Sequence, residues 1–308
     1  AAESILETGD VMSKIDFYNP EYYTNRELSW ILFNHRVLNE ARDKKIELFE
    51  RLKFLSITAS NLDEFFMIRV ASLKDMVNAS YQKPDIAGLT PAEQLARLYV
   101  AIQEMVTLQY ATYKQSLVPK LKSNGLQIVG RHEDLSKKEA AFADRYFEEN
   151  VYPVLTPMAV DSSRPFPLVR NKTLNIAALV RKKSGEEELE FATVQVPGVL
   201  SRIVELPPLE GMRKIIFLEE IIERNIDKLF LNYDIVCAYP YRIMRNADLT
   251  IEEDEAADLL KEIEKQLKKR KWGEAIRLEV AAGCDERLLN ILKEELHIEN
   301  QSVYMVDG

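Results

Sequence analysis

The stretch that decides the fold is SNLDEFFMIRVASLKDMV, residues Ser60–Val77. Its apolar side chains recur at steps of three and four residues, the spacing that forms one face of an α-helix. Ser60 is a favoured N-cap residue, and the acidic Asp63 and Glu64 suit the positive end of a helix dipole. We therefore predict a helix that begins at Ser60 and buries one apolar face. That face consists of Leu62, Phe65, Phe66, Leu73, Met76 and Val77.

One cation, Arg69, interrupts this apolar face. It follows Leu62 by seven residues and precedes Leu73 by four, so helical periodicity predicts that it points toward the core. A buried guanidinium costs free energy unless it meets a partner. Two interpretations stay open: a structural ion pair with a carboxylate, or a position on the wall of an anion-binding cavity.

Capping residues predict further helices on both sides of this stretch. Thr24–Glu27 has the spacing of a capping box and predicts a helix over residues 24–43. Apolar spacing predicts a second helix over residues 47–57. Thr90–Glu93 combines a capping box with proline at the first helical position, and it starts a long helix that Pro119 should end or bend.

The pattern changes after Gly125, where strand-like runs alternate with helices. Residues 126–129 (LQIV) are typical of a strand, and Ser136–Glu139 is a capping box that opens a helix to about residue 150. Prolines then punctuate residues 151–169 and predict an extended connection rather than helix. Later strands are predicted at Leu174–Val180, Glu190–Val196, Arg202–Leu206, Lys214–Phe217, Asp234–Tyr239, Ala275–Val280 and Val303–Val306. Later helices are predicted at Leu218–Leu229, Glu252–Lys271 and Asp285–His297.

These elements divide the chain into three predicted regions. Residues 1–20 form a flexible leader, residues 21–124 an all-helical N-terminal domain, and residues 125–308 a mixed head domain. The predicted fold class is therefore α+β, with the helical domain first.

The composition limits the classes of function. The net charge is −9, which argues against a general nucleic-acid binder, because such proteins rely on surplus lysine and arginine. No apolar run reaches the length of about eighteen residues that predicts a transmembrane helix. Cys237 and Cys284 lie far apart without metal-ligand spacing, as expected of inert thiols in a reducing compartment.

Several motifs together resemble one known family. The chain from Tyr22 onward is similar to the N-terminal and head domains of bacterial polyphosphate kinase, which phosphorylates its own histidine from ATP and builds polyphosphate. The motifs that carry the resemblance are NRELSW at Asn25–Trp30, ERLKFL at Glu50–Leu55, SNLDEFF at Ser60–Phe66, RPFP at Arg164–Pro167, RNADL at Arg245–Leu249, GEAIRLEV at Gly273–Val280 and VYMVDG at Val303–Gly308.

The resemblance implies a function and a set of partners. The full enzyme transfers the terminal phosphate of ATP reversibly to polyphosphate, with Mg²⁺, and it forms a homodimer to which the head domain contributes. Asn61 looks like the asparagine that contacts the ATP base, with a capping role as the alternative, and Arg69 is either part of the pocket or part of an ion pair. We expect a cytoplasmic protein, either free or associated with a membrane. We expect no nucleic-acid partner.

No catalytic or metal-binding residue is assigned in this chain. None of the three histidines, His35, His132 and His297, lies in the family's phosphohistidine motif, which belongs to phospholipase-D-like domains that follow in the family. We therefore expect the Mg²⁺ ligands to lie elsewhere and the chain to be inactive alone. The basic run Lys268–Lys271 is either a solvated helix end or a polyphosphate track. The alternative function is a stand-alone, non-catalytic binding or scaffolding module.

Overall fold

The protein is described by a computed structural model. The described residues are 16–160, 166–184, 188–208, 211–247 and 273–307. Helices form the first part and two β-sheets dominate the second, so the predicted α+β fold is confirmed. Helix gives way to strand between Ser123 and Leu126. Separate domains on either side of residue 125 stay a prediction, because one hydrophobic core crosses this boundary.

Eight α-helices occur in the described ranges, and three of them are continued by wider π-helical turns. The helices are α1 (Arg26–Arg42), α2 (Leu48–Phe65), α3 (Ala71–Asn78), α4 (Pro91–Ala111), α5 (Val118–Ser123), α6 (Lys137–Tyr146), α7 (Leu218–Arg224) and α8 (Glu286–Glu295). The π-helical turns are Phe66–Val70, Thr112–Leu117 and Phe147–Val151.

Helix α1 does not start with the predicted capping box. Its N-cap is Asn25, whose side chain accepts from the backbone N–H of Leu28 at 2.9 Å. The Glu27 carboxylate instead accepts from the guanidinium of Arg26 at 3.0 Å. The prediction at Thr24 was wrong because asparagine caps a helix at least as well as threonine.

The predicted helix start at Ser60 was also wrong. Ser60 lies inside α2, and α2, the π-helical turn Phe66–Val70 and α3 form one continuous helical segment. No glycine or proline occurs between residues 47 and 79, so nothing interrupts the helix at Ser60. Asp63 is therefore not near a free helix end. It is buried in the interior of the segment.

The capping boxes of α4 and α6 are confirmed. Thr90 and Glu93 bond reciprocally at the start of α4, and Ser136 and Glu139 do so at the start of α6. Pro119 does not end the helical segment, which continues through α5. A proline ring clashes with the carbonyl one turn earlier, and the π-helical turn directly before α5 widens the helix at that place.

Nine strands in the described residues form two sheets. The strands are β1 (Leu126–Val129), β2 (Pro157–Val160), β3 (Leu174–Lys182), β4 (Leu189–Gln195), β5 (Ile203–Glu205), β6 (Arg213–Phe217), β7 (Tyr233–Arg245), β8 (Ala275–Ala281) and β9 (Val303–Val306). The smaller sheet has the order β1-β6-β5, and the larger has the order β2-β4-β3-β7-β8-β9. The β1–β6 and β8–β9 pairs are parallel, and the others are antiparallel.

Two strands differ from the prediction, and proline explains both. Strand β2 lies in the proline-punctuated connection, where no strand was predicted, and it occupies an edge of the larger sheet, where the missing N–H of Pro157 is tolerated. Strand β7 continues past its predicted end. The pairing of β7 with β8 begins at Tyr241, which lies opposite Val280. Pro240 comes just before this first pair, so the N–H that proline lacks is not needed for hydrogen bonds between β7 and β8.

The first hydrophobic core joins the helices to the larger sheet. It contains side chains of α1, α2, α3 and α4 together with Met244 of β7, Ile276 of β8 and Tyr304 of β9. Trp30 stacks on Phe65 within it, with ring centroids 4.4 Å apart. A second core lies between α6, α7 and the inner faces of both sheets, and a third packs α8 on the larger sheet. The shared first core holds the π-helical turn Phe66–Val70 against the sheet.

Some sequence predictions fall outside the described residues. These are most of the leader, the RP of the RPFP motif, and the predicted helix Glu252–Lys271 with its basic run Lys268–Lys271. Within the described part, a helix with the length and apolarity needed to cross a membrane does not occur.

Candidate functional site

A cleft of about 380 Å³ lies where the helical segment meets the larger sheet. One wall comes from the end of α2 and from the π-helical turn, and the other comes from the turn before β3 and the residue that follows β7. The lining residues are Ser60, Glu64, Met67, Ile68, Asn171, Lys172 and Ala247. The cleft therefore spans elements that are distant in sequence.

The π-helical turn ties the two walls together. A π-helical turn leaves its backbone carbonyls out of the α-helical bonding pattern, and the carbonyl of Met67 accepts from the backbone N–H of Ala247 at 3.0 Å. The Asn171 amide lies 3.3 Å from the Met67 sulfur, and its oxygen accepts from the backbone N–H of Arg245 at 3.0 Å. These bonds fix the distance across the cleft.

Beneath the cleft lies an ion-pair network centred on Asp63. Its carboxylate accepts from Arg242 of β7, and Lys172 Nζ lies 3.2 Å away. Arg242 also donates to Glu279 of β8 at 3.1 Å, and Glu279 pairs with Arg277 at 2.6 Å. Three cations thus face two carboxylates. Glu64 lines the cleft itself, so the charges around the cleft balance, and Lys172 is the cation among its lining residues.

Two features hold this network rigidly. The guanidinium of Arg277 lies between the rings of Phe66 and Tyr304, 4.6 Å from each centroid. Lys172 has a left-handed backbone with φ of 62°, which is uncommon for a residue other than glycine. Residues in such conformations cluster at ligand sites, where the surrounding structure maintains them.

Asn61, the predicted contact to an ATP base, lies on α2 between two residues that line the cleft, Ser60 and Glu64. Its side-chain amide donates to Asn34 Oδ1 at 3.0 Å, and Asn34 in turn donates to the carbonyl of Thr58. The amide group carries two hydrogens, so this contact uses one of them. Among the described residues the second hydrogen has no partner, so it is left to donate to a ligand. Asn61 itself is not among the lining residues.

Arg69 lines a second cleft, of about 400 Å³, on the other side of the same helical segment. Its side chain is 47% exposed, and Nη1 lies 4.0 Å from Glu27 Oε1. Arg69 is therefore not buried, and the expectation of a core-facing guanidinium was wrong. A pair this long and this exposed contributes less than about 1 kcal/mol. The two clefts share no lining residue, so the structure does not bring Arg69 and Asn61 into one pocket.

The described cleft residues do not by themselves fit the Mg²⁺ that the resemblance implied. Magnesium takes oxygen ligands in near-octahedral geometry. Glu64 is the single carboxylate among the residues that line the cleft, and Asp63 below is occupied by Arg242 and Lys172. We assign no metal ligand here. The histidines His35, His132 and His297 line neither cleft.

Sequence reasoning missed the network below the cleft. Asp63 and Arg242 are 179 positions apart, and no local pattern joins them. One signal was present: Arg277 and Glu279 alternate with apolar residues in the strand AIRLEVA, which places two charges on one face of a buried strand. Charges in that position require partners.

Comparison with known protein families gives two matches that cover most of the chain. The family described as "Polyphosphate kinase N-terminal domain" matches residues 23–129, and "Polyphosphate kinase middle domain" matches residues 138–308.

Similar curated proteins are longer than this chain. Polyphosphate kinase of Halalkalibacterium halodurans is 48% identical over 298 residues, which cover 96% of this chain and 42% of that protein. Polyphosphate kinase of Bacillus anthracis is 48% identical over 299 residues, with the same shares. The fold is similar to that of the crystal structure of polyphosphate kinase from Porphyromonas gingivalis, with a TM-score of 0.74 at 24% identity, over 92% of this chain and 39% of that one.

Proposed function

Because this chain belongs to the polyphosphate kinase family, we propose that it forms the N-terminal and middle part of an enzyme that reversibly transfers the terminal phosphate of ATP to polyphosphate. The chain spans 42% of the length of the first two relatives described, so the complete activity would need the remaining portion. The phosphohistidine and the Mg²⁺ ligands would lie in that portion. A homodimer, with the middle domain contributing contacts, belongs to the same proposal.

In this proposal the chain supplies one wall of the nucleotide pocket. The observation that carries the assignment is the position of Asn61 beside a cleft that is lined by the cation Lys172. The uncommitted amide hydrogen of Asn61 and its oxygen would pair with the edge of the adenine base. Lys172, which lines the cleft, would attract the phosphates. Arg69, in the second cleft, would act on anions approaching from the other side of the helical segment.

The test compares ligands with and without a base. We expect Asn61→Ala to weaken ATP binding about fivefold, since one neutral hydrogen bond contributes about 1 kcal/mol. Inorganic tripolyphosphate, which lacks a base, should bind the variant and the wild type equally. Isothermal titration calorimetry on the 308-residue chain measures both.

The matched control is Asn150→Ala, which removes an exposed asparagine whose amide contacts only the carbonyl of Tyr146 in the described structure. Its ATP affinity should not change. Equal losses for ATP and tripolyphosphate in Asn61→Ala, or no loss for either, would contradict the assignment of Asn61 to the base. A large drop in melting temperature with unchanged ATP binding would make Asn61 a structural residue.

A second experiment tests whether this chain contains a phosphoacceptor histidine of its own. The chain is incubated with γ-labelled ATP and Mg²⁺, and acid-labile protein phosphate and polymer are measured. We expect no label, because none of the three histidines lies in a phosphohistidine motif. Labelled protein would show that one of them accepts phosphate and would overturn this division of roles.

A further inference from the structure

A second group of ionisable side chains lies far from both clefts, where a short 3-10 turn, His132–Asp134, packs against α7. The backbone N–H of His132 donates to Glu220 Oε2 at 2.8 Å, and its Nδ1 lies 3.2 Å from the same oxygen. Glu133 Oε2 is 3.6 Å from that nitrogen. Each of the residues His132, Glu133 and Glu220 offers one atom that could bind a metal ion. These three atoms all lie within 4.8 Å of one another.

Glu223 adds a third carboxylate, one of whose oxygens lacks a hydrogen-bond partner among the described residues. It follows Glu220 by three residues, so both side chains lie on the same face of α7. Glu223 is only 9% exposed, and its Oε2 atom has no hydrogen-bond partner in the described part of the chain. Burial, and then the charge of Glu220, raise the pKa of Glu223 to about 7. A buried carboxylate oxygen without a partner is costly.

The protein cations nearby do not balance these carboxylates. Within the described ranges Glu133, Glu220 and Glu223 share one permanent cation, Arg131, whose Nη2 lies 3.4 Å from Glu133 and 3.5 Å from Glu223. The Arg131 side chain is 48% exposed, so it can move into solvent at little cost. Glu133 and Glu220 lie 3.6 and 3.2 Å from Nδ1 of one imidazole, and Glu223 is next to Glu220 on α7.

We propose that His132, Glu133, Glu220 and Glu223 form a binding site for one divalent transition cation of the Zn²⁺ type. Zn²⁺ accepts imidazole nitrogen and carboxylate oxygen at about 2.0–2.2 Å, which separates tetrahedral ligand atoms by about 3.4 Å. The His132 Nδ1 to Glu220 Oε2 distance of 3.2 Å is close to that value. The imidazole favours Zn²⁺ over the all-oxygen cations Mg²⁺ and Ca²⁺. The site shares no residue with the clefts and does not depend on the proposed function.

Such an ion would join β1 to the helix that follows β6. His132 lies three residues after β1, and Glu220 lies in the first turn of α7, 88 positions later. An ion bound to both would crosslink this side of the molecule. A ligand that binds only the folded state raises the melting temperature.

The test uses the 308-residue chain, stripped with a chelator and titrated with Zn²⁺ by calorimetry. We expect one ion per chain, at least tenfold weaker binding in His132→Ala and in Glu223→Gln, and a melting temperature that rises with Zn²⁺ in the wild type and not in these two variants. Glu223→Gln keeps the side-chain volume, so it gives a result even if His132→Ala does not fold.

Two control variants keep similar side chains outside the site. His35→Ala removes a histidine on α1, and Glu219→Gln alters the neighbouring buried glutamate, which pairs with Arg202 instead. Both should bind Zn²⁺ as the wild type does. The proposal is overturned if the wild type binds no Zn²⁺ at millimolar concentration. It is equally overturned if His132→Ala and Glu223→Gln bind as tightly as the controls, since the group is then an ion-pair network only.

Discussion

Replacement of Arg242 by methionine tests how strongly the ion-pair network attaches the helical segment to the larger sheet. The variant keeps the aliphatic stem of the side chain and removes the charge that Asp63 and Glu279 share. Loss of one member of a buried pair costs about 3–5 kcal/mol, because the other charge stays buried without its partner. Here Lys172 still neutralises Asp63, and Arg277 still neutralises Glu279. The Arg242 side chain is also 26% exposed, so we expect a loss of about 2–3 kcal/mol.

Urea unfolding followed by circular dichroism measures this loss. The control is Arg213→Met, which removes an arginine from a pair with Glu205 on the surface of the smaller sheet, and it should shift the unfolding midpoint far less. A double variant, Asp63→Asn with Arg242→Met, should cost less than the sum of its single changes, because the two side chains are coupled. If Arg242→Met shifts the midpoint no more than the control does, or if the double variant is additive, the network does not attach the segment as we argue.

Three further changes test other parts of the structure. Gly273→Ala should destabilise the protein by about 1–3 kcal/mol, since a Cβ would lie 2.1 Å from the carbonyl oxygen of Asn246; an unchanged melting temperature would contradict that close approach. Arg69→Met should lower stability by less than about 1 kcal/mol and should weaken binding of ATP to the chain through the second cleft; normal ATP affinity would show that this cleft takes no part in binding the nucleotide. Asp144 pairs with Arg224 through two bonds, of 2.7 and 3.0 Å, and these bonds hold its pKa below the ordinary value. A lowered pKa stabilises the folded state above the unfolded pKa of about 3.9 and loses that effect as the pH falls through the folded value. Asp144→Asn should therefore cost about 0.5 kcal/mol at pH 7 after solvent screening, and the gap to wild type should close in thermal melts below about pH 4; a gap that persists there would contradict the ion-pair explanation.

Periodicity predicted the helices well and failed where the helix changes its own period. An α-helix turns about 100° per residue, and a π-helical turn holds about one residue more, so the faces after Phe66–Val70 rotate by about that angle. Ala71, which lies off the predicted apolar face, is fully buried. Arg69 and Met76, which lie on that face, are substantially exposed instead. No residue type marks a π-helical turn in advance, so the sequence alone could not predict this rotation.

The candidate site was predictable only in part, for a different reason. Asn61 was selected through a resemblance that covers its local motif, and the structure places it beside a cleft. Lys172 and Arg242 come from the other wall, and only the folded chain brings them to Asp63. Local spacing carries no information about partners more than a hundred residues apart. The sequence did show charged residues within the apolar strand β8, which indicated that buried charges there needed partners.

The described chain stops at Ala247 and resumes at Gly273, and these two ends lie beside each other. The backbone N–H of Asn246 donates to the carbonyl of Glu274 at 2.8 Å, and the buried Arg245 donates to the carbonyl of Gly273 at 2.8 Å. These bonds form a closed stem. The free energy of closing a loop on such a stem grows only with the logarithm of its length, about 0.6 kcal/mol for each doubling. A longer or shorter connection between β7 and β8 would therefore change the free energy of joining these strands by little, because the hydrogen bonds that close it lie outside the connection.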